Sequence, residues 1–286
     1  MDKTISPTPQ EHLKAIGLLL LTAVFWSFGG VLIKWVQWHP IAIAGMRSAI
    51  ALVVLLIASP KMKLNYSKIQ VGGAIAYALT VILFVSATKL TTAANAILLQ
   101  YTAPIYVALW SASILNERIT KTDWIMIFIA LGGMALFFFD QLSFSSMFGN
   151  CIAILSGIAF AGFVVLMRKQ KSESPLGSIV LGNLLTACIG LPFMFHSMPN
   201  RESWIGLFLL GIFQIGIPAL FYAKAIRVVS ALEGILIPMI EPVLNPIWVL
   251  LFLKEKPGSW AIGGGILVLL VIVIRPILGK NQKNFS

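Results

Sequence analysis

The sequence predicts an all-α integral membrane protein of ten transmembrane helices, built as two inverted five-helix repeats. Three observations predict it. Of the 286 residues 58% are hydrophobic and only 11% are charged, whereas soluble domains carry about a quarter charged residues, so there is too little polar surface to cover a globule in water. Ten apolar runs recur between residues 14 and 277, and a helix needs about 20 such residues to cross the hydrocarbon core. The stretch Ala87–Glu117, ATKLTTAANAILLQYTAPIYVALWSASILNE, returns as Ala225–Glu255, AIRVVSALEGILIPMIEPVLNPIWVLLFLKE. Without gaps, Ala87 falls on Ala225, Lys89 on Arg227, Thr92 on Ser230, Ile97 on Ile235, Pro104 on Pro242 and Glu117 on Glu255.

Residues 1–13 are polar with two prolines and are expected to form a cytoplasmic N-terminal arm. Helix 1 is predicted from about Lys14 to Trp35, with Trp26 and the small pair Gly29 and Gly30 for close helix contact. Pro40 opens helix 2, which carries Arg47 two turns in and ends near Ser59. Helix 3 covers roughly Lys68–Thr88 with Tyr77, helix 4 Thr91–Leu115 with Asn95, Gln100, Tyr101 and Pro104, and helix 5 Thr122–Phe139.

The second repeat, residues 141–277, follows the first, 14–140, after a polar hinge, QLSFSS. Helix 6, about Met147–Met167, resembles helix 1: with Trp26 set on Phe160, Thr22 falls on Ser156 and Lys34 on Arg168. Pro175 opens helix 7 as Pro40 opens helix 2, but nothing in helix 7 matches Arg47. Helix 8 is predicted over Ser203–Ala223 with Phe213, Gln214 and Pro218, helix 9 over Ser230–Leu253, and helix 10 over Gly258–Ile277, before a C-terminal tail of 278–286. An odd number of helices per unit makes the two copies enter the bilayer from opposite sides, a recurrent plan of secondary transporters, whose sites lie where the halves meet.

The formal net charge of +11 is a topology signal before it is a ligand signal. With ten helices, one side holds Lys3, Lys14, Lys61, Lys63, Lys68, Arg118, Lys121, Arg168, Lys169, Lys171, Lys224, Arg227, Arg275, Lys280 and Lys283, and the other only Lys34, Lys89, Arg201, Lys254 and Lys256. Positive residues stay inside, which places both termini in the cytoplasm and argues against nucleic acid as a partner. Cys151 and Cys188 sit in apolar runs without metal or redox spacing, and HExxH, GxSxG, Walker and CxxC patterns are absent. No catalytic residue, metal or cofactor is expected.

Helix 9 holds Pro238, Pro242 and Pro246 four apart. Each lacks the amide that would bond the carbonyl four residues back, which releases the carbonyls of Gly234, Pro238 and Pro242 along one face. In lipid such acceptors must face protein or a water-filled cavity. Pro104 is the matching helix break in helix 4. These prolines read either as gating breaks or as kinks that fit the bundle. Glu241 lies midway along helix 9 with Asn245 one turn on, and a carboxyl at mid-membrane costs about 3 kcal/mol, which makes it a functional candidate. Proton binding at Glu241 and a purely structural carboxyl both remain open. Arg47 either faces Glu241, grips a substrate carboxylate or phosphate, or snorkels to the interface. Glu233, near the start of helix 9, reads as a capping residue. Trp26, Tyr77, Tyr101, Phe160, Phe213 and Tyr222 make an aromatic set which, with Gln100 and Gln214, suits an amphipathic organic solute. Taken together, the substrate-binding candidates are Trp26, Arg47, Tyr77, Gln100, Tyr101, Phe160, Gln214, Tyr222, Glu241 and Asn245.

The two long stretches, each ending a helix in Asn-Glu-Arg or Lys-Glu-Lys after a central proline, resemble EamA domains of the drug/metabolite transporter superfamily. The resemblance covers nearly the whole chain. It implies two EamA repeats in the cytoplasmic (inner) membrane, a central cavity lined by helices 1, 3, 4, 6, 8 and 9, and movement of an amino acid or related metabolite by alternating access, in the direction of export. Uptake of a nucleotide-type metabolite, or an enzyme acting on lipid-linked substrates, is the alternative. The expected partners are a small metabolite, the bilayer and, secondarily, protons. The family's glycine before the terminal glutamate is replaced here by Asn116 and Lys254.

Overall fold

The computed structural model describes residues 8–142, 146–244 and 258–283. All regular structure among them is helical. Helix α1 (Pro9–Trp26) begins five residues before the expected Lys14, because Thr8 and Glu11 form a capping box in which the Thr8 hydroxyl takes the Glu11 amide and the Glu11 carboxylate takes the Thr8 amide. Pro9 at the first turn lacks an amide that would have had no partner there. The chain breaks at Ser27 and Phe28 and resumes as α2 (Gly29–Trp35). A side chain at Gly29 would place its Cβ 2.8 Å from Gln214 Nε2, so the glycine makes room for that amide.

Caps from His39, Ser67 and Thr92 start α3 (Pro40–Ala58), α4 (Lys68–Leu90) and α5 (Ala93–Gln100). The span expected as helix 4 is α5, a break at Tyr101 and Thr102, and α6 (Ala103–Trp110), which carries Pro104 in its first turn. Pro104 thus starts a new helix instead of kinking an old one. A π turn over Ser111–Leu115 ends at Asn116, whose φ of 56° is left-handed. Asparagine is among the few residues besides glycine that tolerate this conformation, which explains how Asn116 can stand where the family places glycine.

The order continues with α7 (Lys121–Phe137), α8 (Met147–Lys169), α9 (Pro175–Met194), α10 (Arg201–Leu209), a π segment (Leu210–Gly216) and α11 (Ile217–Ala225). Then follow α12 (Ala231–Leu236), a 3-10 turn (Ile237–Ile240) and α13 (Ser259–Lys283). Helix 9, expected to be broken or kinked at its prolines, narrows to a 3-10 turn where Pro238 removes an amide donor. Among the described residues seven helical segments are long and apolar enough to span a bilayer: Pro9–Trp35, Pro40–Ala58, Lys68–Leu90, Ala93–Leu115, Met147–Lys169, Pro175–Met194 and Arg201–Ala225. Helix α7 has 17 residues, and the apolar part of α13, Ser259–Arg275, is also short of a full span.

Helix α4 packs against α8 and α9, α3 against α9, α1 against α11, and α7 against α13. The α3–α9 contact is close because glycines face each other: a Cβ on Gly190 would stand 2.6 Å from Gly45 Cα. Gly133 approaches Gly264 in the same way, whereas a Cβ on Gly132 would meet nothing within 4 Å. Large apolar side chains such as Ile57, Phe128, Phe208 and Val273 point outward, as in a bundle whose solvent is hydrocarbon.

Basic side chains tie the helix ends together at both ends of the bundle. At the end holding Trp35, Lys34 donates to the Thr91 carbonyl at 2.8 Å and Lys89 to the Val36 carbonyl at 2.6 Å. At the N-terminal end Arg168 donates to the carbonyls of Ile226 and Arg227, and Arg227 to that of Lys171. Here Glu117 adds an ion pair, 2.7 Å from Arg168 Nε, and its second oxygen takes the Ala231 amide. Glu233 caps α12 through Ser230, as expected of it, and is also held by His12 at 3.1 Å and Arg275 at 3.5 Å.

Candidate functional site

A cavity of about 90 Å³ lies midway along the helices, lined from α1, α3, α4, α5, α8, α9, the π segment, α11 and the Glu241 turn. One water needs roughly 10–15 Å³ by this kind of measure, so the cavity exceeds a single hydration site. Trp26, Arg47, Tyr77, Gln100, Tyr101, Phe160, Gln214, Tyr222 and Glu241 all line it. Asn245 and Pro246 lie outside the described residues. Phe213 is not in the wall: it is 44% exposed and stacks on Phe25 at 6.5 Å. The π segment turns the face of Gln214 inward and that of its neighbour outward.

The wall is mainly aromatic. Trp26 sits edge-on to Phe160, with centroids 5.9 Å apart, and 5.6 Å from the Tyr222 ring. Phe163 joins them, stacked on Phe160 and Tyr222 and edge-on to Tyr77. Offset and edge-to-face pairs of this kind lock ring orientation beyond what burial alone provides.

The carbonyls released by the prolines are caught by tyrosines. Tyr222 donates to the Gly234 carbonyl at 3.2 Å, and the Tyr101 hydroxyl lies 3.1 Å from the Pro238 carbonyl oxygen. The same Tyr101 hydroxyl is 2.7 Å from Glu241 Oε2. Both tyrosines are at most 1% exposed. Tertiary structure thereby supplies a donor to the Gly234 carbonyl, while the Pro238 carbonyl takes the Glu241 amide as well as lying within reach of Tyr101, as buried backbone acceptors require. Pro238 and Pro242 are themselves buried in this packing.

Arg47 does not snorkel, and it makes no ion pair with Glu241, which lines the same cavity. It is 2% exposed, donates from Nη1 to Gln214 Oε1 at 3.0 Å, and forms no ion pair among the described residues. Two turns of α3 separate it from Pro40. Its Nε has no hydrogen-bond partner. Gln100 donates to Ser156 Oγ at 2.7 Å, and Tyr77 to Asn183 Oδ1 at 3.3 Å.

Sequence reasoning missed Thr80, Val81, Phe84, Phe163, Ile179, Ile215 and Ala219 in the wall. A signal existed for some of them. Tyr77, Thr80, Val81 and Phe84 follow the 3-4-7 spacing of one helix face, and Phe163 lies one turn beyond Phe160. Ile179 and Asn183 had none, because only the packing of α9 on α4 brings them to the centre.

The sequence pattern of the EamA-like transporter family matches the chain twice, at residues 13–139 and 147–275. The pseudopaline exporter CntI of Pseudomonas aeruginosa is 27% identical over 66% of this chain and 67% of its own length. An uncharacterized transporter of Archaeoglobus fulgidus is 26% identical over 90% of this chain and 96% of its own, and the uncharacterized transporter YwfM of Bacillus subtilis is 24% identical over 70% of each. One solved crystal structure shares the fold with a TM-score of 0.79 at 18% identity, over 94% of this chain and 98% of that one. The pattern covers both halves, and the helices are those of a membrane protein, so the chain is an integral membrane protein belonging to the EamA-like transporter family of the drug/metabolite transporters, not an enzyme.

Proposed function

We propose that the chain is a secondary transporter or facilitator that moves a small organic metabolite, an amino acid or related compound, outward across the cytoplasmic (inner) membrane by alternating access. The observation that carries this reading is the mid-helix cavity, with its ring of Trp26, Phe160, Phe163 and Tyr222 and a few convergent polar groups, the usual make-up of a small-molecule site. The moving bodies are two inverted five-helix repeats, 14–140 and 141–277, ten membrane helices in all. The end contacts support this. In the overlays that set Trp26 on Phe160 and Ala87 on Ala225, Lys34 corresponds to Arg168 and Lys89 to Arg227, and the two pairs bind helix-end carbonyls at opposite ends of the bundle. The positive-inside bias puts the N-terminal end, with both termini, in the cytoplasm. The relative named as an exporter favours the outward direction. In proteoliposomes, saturable flux is expected for one class within a labelled panel of amino acids, nucleosides and nucleotide derivatives. Flux no greater than in protein-free vesicles across the panel overturns the reading.

Proton coupling through Glu241 is favoured by one specific observation. The Tyr101 hydroxyl has a single hydrogen but two acceptors in range, Glu241 Oε2 and the Pro238 carbonyl. When the Glu241 carboxyl carries a proton it donates to the tyrosine oxygen, and the tyrosine hydrogen is free for Pro238; when ionised, it competes for that hydrogen. Binding and loss of one proton therefore changes the hold on the broken segment of helix 9. Glu241→Gln is expected to abolish the part of flux driven by a pH gradient while leaving substrate exchange. Full pH-driven uptake in this variant refutes the role.

A further inference from the structure

The least satisfied group in the cavity is Arg47. A guanidinium offers five N–H donors and cannot discard its charge. Among the described residues Arg47 makes one hydrogen bond, from Nη1 to Gln214, has no carboxylate within ion-pair distance, and leaves Nε without a partner although the side chain is 2% exposed. A buried charge of this kind is kept only when something completes it. Gln214 accepts on the Nη1 side, so the unfilled edge is the one formed by Nε and Nη2, whose two parallel N–H bonds match a carboxylate.

We propose that Arg47 is the anchor for the carboxylate of an organic monoanion with an apolar or aromatic body. The inference rests on the transport reading for the identity of the cavity as the ligand site, and names the class of cargo. The carboxylate lies along the Nε–Nη2 edge, Gln214 holds the guanidinium in plane, and Trp26, Phe160 and Phe163 receive the body. The charge count selects a monoanion. Arg47 is the one basic side chain among the described residues of the wall, and Glu241 stands in the same wall; with the Glu241 carboxyl protonated a monoanion balances Arg47, whereas a phosphate dianion leaves surplus negative charge in a site with no second cation. Nothing in the second half corresponds to Arg47, so the anchor belongs to one half, and the ligand is held in one orientation.

The test uses the full chain, purified in detergent and reconstituted in liposomes, with hexanoate, 3-phenylpropionate and indole-3-acetate as probes, each beside its neutral carboxamide. Binding is read by calorimetry and flux by counterflow of the labelled acid. In the wild type at least one acid is expected to bind 10-fold or more tighter than its amide. Arg47→Lys, which keeps the charge but loses the fork, weakens that acid several-fold, and Arg47→Gln removes the preference for acid over amide. Equal binding of acid and amide in every pair overturns the anchor, as does a preference that survives Arg47→Gln. The wild-type pairs decide the matter even if a variant misfolds. Flux of the metabolite panel without any carboxylate preference defeats the anchor and leaves transport standing. Arg47-dependent binding of an acid in a protein that moves nothing leaves the anchor and defeats transport.

Discussion

The stretches Ala87–Glu117 and Ala225–Glu255 descend on one pattern and do opposite jobs at the centre of the molecule. In the gapless overlay Tyr101 falls on Met239, and Ala103 on Glu241. The first copy brings the hydroxyl and the second brings the carboxyl, and the structure joins them across the cavity at 2.7 Å. Both copies break, but differently: Ala93–Gln100 stops and restarts at Ala103, while Ala231–Leu236 tightens into the 3-10 turn that carries Pro238. Divergence between the copies has built one hydrogen-bonded pair that neither holds alone.

The comparison can be broken most forcefully by making the copies alike. Ala103→Glu places a carboxyl in the first copy at a position that is 0% exposed, and the tyrosine that serves Glu241 has only Met239 as its counterpart. An unpaired buried charge costs about 3–5 kcal/mol. A large loss of thermal stability in detergent is expected, and unchanged melting at neutral pH would show that the two positions are not inequivalent in the way described. A smaller effect follows from Tyr101→Phe, which takes the hydroxyl from Glu241 and leaves the Pro238 carbonyl with only the Glu241 amide. Burying unsatisfied groups costs about 1–3 kcal/mol, and a pH dependence of flux altered in the same direction as in Glu241→Gln is expected alongside it. The smallest is Tyr222→Phe. It removes one neutral hydrogen bond to the Gly234 carbonyl while keeping the ring against Trp26, so about 1 kcal/mol is expected. A loss larger than that of Tyr101→Phe would mean that the first proline-released carbonyl matters more than the carboxyl pair.

Much of the candidate site was legible because polar groups are costly in lipid. Arg47, Gln100, Gln214 and Glu241 stood out as exceptions in apolar helices, and exceptions of this kind collect where there is a cavity. The prolines announced which carbonyls would lack donors, but not what would replace them. Tyr101 and Tyr222 come from 137 and 12 residues away, and no local pattern specifies such distances. The sequence left the partner of Arg47 open for the same reason. Depth along a helix is readable from residue counting, whereas azimuth depends on the π segment at Leu210–Gly216, which rotates Gln214 toward the guanidinium and Phe213 away from the cavity.

By itself the sequence determined that the chain is helical and membrane-embedded, that its two long stretches are copies, and that prolines would break or kink helices 4 and 9. Composition, hydropathy and the missing proline amide are local properties, and they suffice for those conclusions. Tertiary structure alone decided that Tyr101 would meet Glu241, that Arg47 would turn to Gln214 and keep an unfilled edge, and that α9 would bring Ile179 to the cavity and Asn183 to the Tyr77 hydroxyl. Those outcomes depend on helix rotation and on close contacts such as Gly45 against Gly190, where packing of whole helices, and not the preference of any one residue, selects the side chains that meet.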